Sequence, residues 1–432
     1  MTEPGKSHLT RRQFGKSALA MGVAAALPGW LRASDHRAPV APVPFRVTGP
    51  DSLRAHAAAR GLLYGAAVNP ALLDVEAIAA GGTANGYTQL VQAQANILVA
   101  ENAMKWAGLR PTANTFDFSQ ADRLLRFAGL AGQRVRGHNL CWHQGLPSWF
   151  KTTANKESAR QLLTQHIQVV AGRYRGQIHS WDVVNEAVEL ADGRPDGLRN
   201  SPWLELVGTD YIELAFQTAA KADPQAKLTY NEYGIELDTA EQSAKRGQVL
   251  LLVRRLKARG VPVHAVGVQS HLQADGPQPG AGLLSFIREC AKLDLEVYVT
   301  ETDVNTHSLA GGPEAQDAAV AQVYGSYLGQ VLAEPNVPVA LTWGLTSANS
   351  WLNGTDEPWA KRKDGARQRP LPFDDDLKPT SAFLALRAAI DAARPIAPVA
   401  APQPTADPGS LYKPFPVEGS PTAQSAANGP GS

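Results

Sequence analysis

The chain has 432 residues, 44% hydrophobic and 19% charged, which is enough apolar material for a large folded core. The 41 Lys and Arg residues balance the 40 Asp and Glu residues, so the basic excess typical of nucleic-acid-binding proteins is missing and no nucleic-acid partner is expected. Cys141 and Cys290 are the only cysteines, which excludes a disulfide scaffold; we expect two free, mostly buried thiols.

Residues 1–33 have the pattern of an export signal. Arg11 and Arg12 form a twin arginine, and a weakly apolar run follows from Ser17 to about Leu27. This order is similar to the twin-arginine signals of bacteria and predicts a periplasmic or secreted protein. The run is shorter than the roughly 20 residues that a membrane span needs, so no span is expected. An ordinary basic N-terminus is the alternative interpretation.

The composition divides the rest of the chain into three parts. Residues 34–50 are expected to be a linker, and residues 51–394 a folded domain. Residues 395–432 are rich in Pro, Ala, Gly and Ser, a composition that cannot bury enough surface to offset the entropy lost on ordering. This tail is expected to be disordered, with a tether as the alternative.

Eight short apolar runs recur along the folded domain, spaced by about 30 to 50 residues. They are Leu62–Val68, Asn96–Glu101, Arg134–His138, Ile178–Glu186, Lys227–Glu232, Val263–His271, Glu296–Asp303 and Val339–Trp343. Helical patterns lie between them, for example Ser119–Gly132, Glu157–Tyr174 and Gly208–Ala222. Eight strand–helix units predict an α/β fold, a single (β/α)8 TIM barrel. A doubly wound sheet is the alternative, but the glycine-rich dinucleotide turn that would favour it is missing.

Polar side chains stand at the C-terminal ends of six of the eight runs and a tryptophan at the end of a seventh, where the active sites of such barrels form. They are Glu101, Asn102, His138, Asn185, Glu186, Asn231, Glu232, Gln269, His271, Glu301 and Asp303, and Trp343 ends the eighth run. Because alternate residues of a strand share a face, we expect Val297, Val299 and Glu301 to point into the barrel. Glu301 would then face Glu186 across the ring, although a capping or ion-pairing role is the ordinary alternative for each.

Two carboxylates across a cleft lined by Trp, Asn, Gln and His side chains are the groups that glycoside hydrolysis requires. No nucleophile elbow of a Ser–His–Asp hydrolase is recognisable. His138, His143 and His271 could in principle bind a metal, but the spacing of the first two does not place both on one face of a strand. We therefore expect neither a metal nor a cofactor.

The stretch around Glu186 holds two further carboxylates. Asp182 is expected inside the barrel, where Arg136 or His138 would pair with it, and Glu189 is expected to be solvated in the following loop. Strict alternation along the strand would place the side chains of Asn185 and Glu186 on opposite faces, yet both are expected in the cleft. The strand is therefore expected to bulge or to end at this point.

Seven motifs together resemble the xylanases of glycoside hydrolase family 10. In chain order they are ENAMKW (Glu101–Trp106), GHNLCWH followed by LP (Gly137–Pro147), WDVVNEA (Trp181–Ala187), YNEYG (Tyr230–Gly234), VGVQSHL (Val266–Leu272), VTETDV (Val299–Val304) and TWGLTSANSWL (Thr342–Leu352). The resemblance runs from about Leu62 to Arg387. It implies a retaining endo-1,4-β-xylanase that acts on xylan or xylo-oligosaccharides by double displacement.

The resemblance also implies a role for each matched residue. Glu301 would be the nucleophile and Glu186 the acid/base, while His271 and Asp303 would hold the nucleophile. Sugar hydroxyls and rings would be bound by Glu101, Asn102, Lys105, His138, Trp142, Asn185, Gln269, Trp343 and Trp351. Three further tryptophans are expected in the hydrophobic core: Trp106, Trp149 and Trp181. The protein is expected to be a monomer.

Three positions depart from the pattern of the family. Gly145 stands where the family usually has Gln, Ser347 where it has Asp, and Glu232 where it has the shorter Asp. The first departure predicts weaker binding of the second sugar on the non-reducing side. The alternatives to a xylanase are a related β-1,4-glycanase or aryl-β-glycosidase on the same barrel, and a non-catalytic polysaccharide-binding barrel.

Overall fold

The structure is a computed structural model that describes residues 47–397. The predicted export signal, most of the linker and nearly all of the tail lie outside the described residues. The strands are β1 (Leu63–Ala67), β2 (Ile97–Val99), β3 (Arg134–Cys141), β4 (Ser180–Asn185), β5 (Lys227–Glu232), β6 (Ala265–Val268), β7 (His271–Gln273), β8 (Glu296–Asn305) and β9 (Val339–Thr342).

The helices fill the connections between these strands. They are α1 (Leu53–Ala59), α2 (Val75–Ala79), α3 (Gly86–Gln94), α4 (Trp106–Leu109), α5 (Ser119–Ala131), α6 (Phe150–Thr153), α7 (Ala159–Arg173), α8 (Pro202–Val207), α9 (Tyr211–Ala222), α10 (Ala240–Ala258), α11 (Ala281–Lys292), α12 (Pro313–Val331), α13 (Trp351–Gly354) and α14 (Ser381–Ala392).

The strands form a closed parallel barrel. Neighbours pair in chain order, and β1 also pairs with β9, which joins the two ends of the sheet. Both β6 and β7 pair with β8, so these two short strands together occupy one strand position of the barrel. The nine strands therefore make a barrel with eight strand positions, or staves. The predicted (β/α)8 barrel is confirmed, and closure rules out the open doubly wound sheet.

The apolar side chains form two separate layers. The larger layer lies between the sheet and the helices and includes Val297 and Val299. The smaller layer is built from strand residues, among them Leu63, Ile97 and Tyr298, and fills the inside of the barrel. The expected inward direction of Val297 and Val299 is therefore wrong, because Tyr298 is the residue of β8 that points inward.

One-residue register shifts explain how the site residues nevertheless reach the cleft. Between Val299 and Thr302, β8 advances three residues while β9 advances two, which turns Glu301 relative to the valines. A second shift lies between Asp182 and Val184, and β4 then ends at Asn185. The sequence predicted a bulge or a strand end at this place, and the structure has both.

Both cysteines are free and buried, as predicted, with Cys141 in β3 and Cys290 in α11. Trp106 and Trp181 are fully buried in the core. Within residues 47–397, no helix combines the length and the apolar character that crossing a bilayer would require.

Candidate active site

Glu301 lies at the C-terminal rim of the barrel and is 5% exposed. Its Oε1 accepts a hydrogen bond of 2.8 Å from Asn231 Nδ2, and its Oε2 lies 3.4 Å from His271 Nε2. Burial acts to raise the pKa of Glu301, but the hydrogen bond from His271 and the charges of His138, His271 and Lys105 lower it to about 2. Glu301 is therefore expected to be an ionised carboxylate at neutral pH.

His271 is held between two carboxylates. Its Nδ1 lies 2.9 Å from Asp303 Oδ1, opposite the nitrogen that faces Glu301. Burial alone would lower the pKa of His271, but Asp303 and Glu301 raise it well above its ordinary value. Trp351 Nε1 donates a hydrogen bond of 2.6 Å to Asp303 Oδ2, and the Trp351 ring meets the His271 ring edge-on at 5.3 Å. The four side chains form one connected unit.

Glu186 is the second carboxylate of the rim and is 6% exposed. Its Oε1 accepts hydrogen bonds from Gln269 Nε2 at 2.9 Å and from Asn185 Nδ2 at 3.2 Å. His143 Nδ1 lies 3.9 Å from its Oε2. Glu186 also has a left-handed backbone conformation, with φ at +57°, which is uncommon outside glycine and marks local strain.

Two asparagines connect the carboxylates. Asn231 Nδ2 donates to Asn185 Oδ1 and to Glu301 Oε1, both at 2.8 Å, while Asn231 Oδ1 accepts from Thr300 Oγ1 at 2.8 Å. Asn185 in turn donates to Glu186. The amide orientations are thereby fixed, and the chain Glu186–Asn185–Asn231–Glu301 runs across the site.

A polar and aromatic wall stands beside the carboxylates. Lys105 Nζ donates to Asn102 Oδ1 at 2.8 Å and lies 5.0 Å from the Trp142 ring and 5.8 Å from the Trp343 ring. Burial lowers the pKa of Lys105, against the opposing charges of Glu301, Glu101 and Glu186. Asn102 Nδ2 donates to Glu101 Oε1 at 3.2 Å. Among the described residues, Trp142 Nε1 is buried and has no hydrogen-bond partner.

Below this wall, buried charges pair inside the barrel. His138 packs edge-on against Trp343 at 5.3 Å, and its Nδ1 lies 2.9 Å from Asp182 Oδ2. Arg136 Nη2 donates to Asp182 Oδ1, and Arg136 Nε donates to Ser180 Oγ at 2.9 Å. Both expected partners of Asp182 are therefore present.

Glu189 lies in the loop after β4, as expected, but it is paired and only partly solvated. Its side chain is 24% exposed, and its Oε2 accepts hydrogen bonds of 3.2 Å from Arg199 Nη2 and from Tyr233 Oη. Arg199 also donates from Nε to the backbone oxygen of Glu186 at 2.8 Å. The loop after β4 folds back, so that Arg199 contacts the segment that carries Glu186. No pattern in the sequence predicts this contact.

The three departures from the family pattern have distinct surroundings. Gly145 has φ at +64°, and a Cβ there would lie 3.3 Å from the Trp142 ring. The Ser347 hydroxyl is buried and bonds to no described residue. Glu232 is fully buried, and its Oε1 lies 3.0 Å from Lys245 Nζ.

Asn231 was expected at the rim without a specific role, and His143 was considered only as a metal ligand, although both stand in recognised motifs. Their position at a strand end and directly after Trp142 was the available signal. In residues 47–397, no cluster of three or more His, Cys, Asp or Glu side chains has the arrangement of a metal site.

The rim thus holds one ionised carboxylate, fixed by an imidazole and an amide, and a second carboxylate linked to it through two asparagines. Retaining glycoside hydrolysis requires such a pair, in which one carboxylate acts as nucleophile and the other as proton donor. The polar and aromatic wall has the hydrogen-bonding groups and flat rings that sugar binding requires.

Comparison with known proteins agrees with this geometry. The model of glycosyl hydrolase family 10 matches residues 52–389. An endo-1,4-beta-xylanase A from Caldicellulosiruptor sp. (strain Rt8B.4) is 36% identical over 319 residues, which cover 69% of this chain and 43% of that relative. A beta-1,4-xylanase from Dictyoglomus thermophilum is 35% identical over 305 residues, covering 69% of this chain and 82% of the relative.

The crystal structure of native xylanase 10B from Thermotoga maritima superimposes with a TM-score of 0.69 at 31% identity, covering 79% of this chain and 98% of that one. The chain spans less than half of the Caldicellulosiruptor relative but most of the other two. With the family model covering most of the barrel, the chain belongs to glycosyl hydrolase family 10 and is a glycoside hydrolase.

Proposed function

We propose that the chain is a retaining endo-1,4-β-xylanase in which Glu301 is the nucleophile and Glu186 the acid/base. The observation that carries the assignment is the contrast between the two carboxylates. The hydrogen bond and the charge of His271 lower the pKa of Glu301 to about 2, whereas Gln269 and Asn185, which donate hydrogen bonds to Glu186, are neutral amides. His143 Nδ1 lies 3.9 Å from Glu186 Oε2, which is beyond hydrogen-bond distance. The membership of family 10 and the relatives named xylanases support the reaction and the substrate.

The reaction proceeds by two displacements at the anomeric carbon. Glu301 attacks that carbon while Glu186 gives its proton to the departing glycosidic oxygen, which leaves a glycosyl ester on Glu301. Formation of the ester removes the negative charge of Glu301, so Glu186 can then take a proton from water. The water attacks the anomeric carbon, the ester bond breaks, and the sugar is released with its β configuration retained.

Xylan would lie along the polar and aromatic wall. Glu101, Asn102, Lys105 and His138 offer hydrogen bonds to hydroxyls on the non-reducing side, and the Trp142 ring offers a flat surface. Trp343 and Trp351 would flank the sugar at the reaction centre. The hydrogen bond from Gln269 to Glu186 suggests that Gln269 also orients the acid/base.

Hydrolysis of defined polysaccharides by single variants tests the two roles. Release of reducing sugar from arabinoxylan, glucuronoxylan and soluble cellulose is measured for the wild type, Glu301→Ala and Glu186→Ala. We expect xylan hydrolysis to vanish in Glu301→Ala, and azide to rescue Glu186→Ala with formation of a β-glycosyl azide. Full activity of Glu301→Ala would refute the assignment, and preferential cleavage of cellulose would favour the related β-1,4-glycanase.

We further propose that the chain is exported through its twin arginine and acts outside the cytoplasm. The support is the order of Arg11, Arg12 and the apolar run in the sequence. Fractionation of bacterial cells that express the wild type and the Arg11→Lys/Arg12→Lys variant tests this. We expect the variant to remain in the cytoplasm, and equal distribution of the two would contradict export by this route.

A further inference from the structure

The segment Glu186–Val188 carries the acid/base in a strained conformation and needs external support. The backbone N–H of Glu186 donates to Asn231 O at 2.9 Å, and the Glu186 carbonyl accepts from Arg199 Nε at 2.8 Å. Because Glu186 has φ at +57°, these bonds must hold a conformation that the residue disfavours on its own.

The next two residues of the segment are held by side chains of β5. Ala187 N donates to Tyr230 Oη at 3.1 Å, and Val188 N donates to Glu232 Oε2 at 3.2 Å. Tyr230 Oη donates in turn to the same Glu232 oxygen at 2.6 Å. The position of the segment therefore depends on the Glu232 carboxylate.

Glu232 is fully buried, and a buried carboxylate needs a partner to remain ionised. Lys245 of α10 supplies it, since Lys245 Nζ lies 3.0 Å from Glu232 Oε1 and its side chain is 9% exposed. Burial and the charge of Glu186 raise the pKa of Glu232, and Lys245 opposes both. The ammonium also lies 3.7 Å from the centre of the Tyr233 ring, which fixes its direction.

We propose that Lys245 is a positioning residue for the acid/base: by pairing with Glu232 it holds the segment Glu186–Val188, and with it the Glu186 carboxylate, at the distance needed for proton transfer. This proposal rests on the role of Glu186 given above. Without Lys245, Glu232 is left as an uncompensated buried charge, which takes up a proton or moves. The bond from Val188 N to Glu232 is then weakened or lost, and Tyr230, the acceptor of Ala187 N, loses the carboxylate that holds its hydroxyl.

Substrates that differ in their need for a proton donor test this role. Cleavage of xylotetraose requires protonation of the departing sugar, whereas 2,4-dinitrophenyl β-xylobioside releases a stable anion without it. We compare kcat/KM on both substrates, because this constant reports the first displacement, for the wild type, Lys245→Met and Lys245→Arg. The matched control is Arg255→Met, which removes an exposed cation from the same helix.

For Lys245→Met we expect kcat/KM on xylotetraose to fall by about 10-fold or more, within the roughly 10²- to 10⁴-fold that general acid–base catalysis supplies. On the dinitrophenyl substrate it should stay within about twofold, because no proton transfer is lost there. Lys245→Arg should recover most of the loss, and Arg255→Met should behave as the wild type. Equal loss on both substrates, or no loss on either, overturns the proposal.

Circular dichroism first checks that each variant folds. If Lys245→Met does not, Glu232→Leu/Lys245→Met replaces it, because this double variant leaves no buried charge unpaired. Leucine accepts no hydrogen bond, so the bond from Val188 N to residue 232 is lost, and we expect the same selective loss. A wild type that cleaves neither substrate would refute the proposed function itself, whereas a normal wild type with unselective variants refutes only the role of Lys245.

Discussion

Glu301 keeps its charge in a place from which water is largely removed, and its neighbours explain how. Desolvation works against the carboxylate, while His271 and Asn231 each place an N–H on one of its oxygens. Asp303 binds the other ring nitrogen of His271, and Trp351 donates a hydrogen bond to Asp303. The imidazole is therefore held in one orientation before substrate binds. Preorganised groups of this kind cost no rearrangement during the reaction.

The acid side of the pH profile should reflect this support. A carboxyl with its pKa lowered to about 2 stays ionised far below the ordinary range of glutamate, so kcat/KM on 2,4-dinitrophenyl β-xylobioside should hold at low pH until the protein unfolds. In His271→Asn the hydrogen bond and the positive charge are lost, and the acid limb should move up by about one to two pH units. An unmoved limb would mean that His271 does not act on the nucleophile.

The same groups link stability to pH, with opposite signs. Because the pKa of Glu301 is lower in the folded state, its contribution is present above the ordinary glutamate range and is lost as the pH falls toward 2. The pKa of His271 is raised, so its contribution is present below about 6.5 and is lost as the pH rises through the raised value. In His271→Asn, the melting temperature should therefore fall less steeply on the alkaline side than in the wild type.

Ser347 gives a prediction about stability alone. Its hydroxyl is buried and bonds to no described residue, so Ser347→Ala removes an unpaired polar group. The free energy of unfolding should stay the same or rise by less than about 1 kcal/mol. Ser270→Ala is the matched control: the Ser270 hydroxyl bonds to Tyr327 Oη at 2.6 Å, and its loss should cost about 1 kcal/mol or more. Urea titration measures both, and a large loss in Ser347→Ala would show that the hydroxyl has a partner.

At the scale of secondary-structure elements, the C-terminal ends of the strands determine where the site residues lie. The eight staves could be predicted because each is a short apolar run with a helical pattern beside it. The face of β8 that points inward could not be predicted, because the register shift that turns Glu301 arises from the pairing of β8 with β9. The alternation of residues within β8 does not show that shift. The shift in β4 was predictable only because two residues of known chemical use, Asn185 and Glu186, could not otherwise share the cleft.

The loops show where prediction from sequence ends. Arg199 and Glu189 meet because the chain after β4 returns to the same rim, and no local pattern signals that return. Likewise, the pairing of Glu232 with Lys245 joins β5 to a helix, and the sequence showed only that Glu232 is one methylene longer than usual.

The loop after β3 gives a prediction about substrate binding. Gly145 presents no side chain beside Trp142 where the family usually has Gln, so we expect the second sugar on the non-reducing side to lack one polar contact. The gain in kcat/KM from 4-nitrophenyl β-xyloside to the β-xylobioside should be smaller than in a family member with the Gln, by about 5- to 10-fold for one neutral hydrogen bond. An equal gain in the two enzymes would contradict the role given to this departure.

For the whole molecule, all the proposed site residues and the matched family region lie within residues 47–397. A chain limited to these residues should therefore keep the kcat/KM of the full chain on xylan within about twofold, since catalysis depends on the groups at the rim. Loss of activity on soluble xylan would show that the terminal segments take part in the reaction.

The central claim, that Glu301 forms a covalent bond with the sugar, can be tested by trapping the intermediate. A 2,4-dinitrophenyl β-xylobioside with fluorine at the 2-position forms the ester readily and releases it slowly. Mass spectrometry of the digested enzyme should find the added mass on the peptide that contains Glu301, and none on the peptide of Glu186. A label on another residue, or an active enzyme that forms no adduct and releases the α-anomer first, would contradict the account.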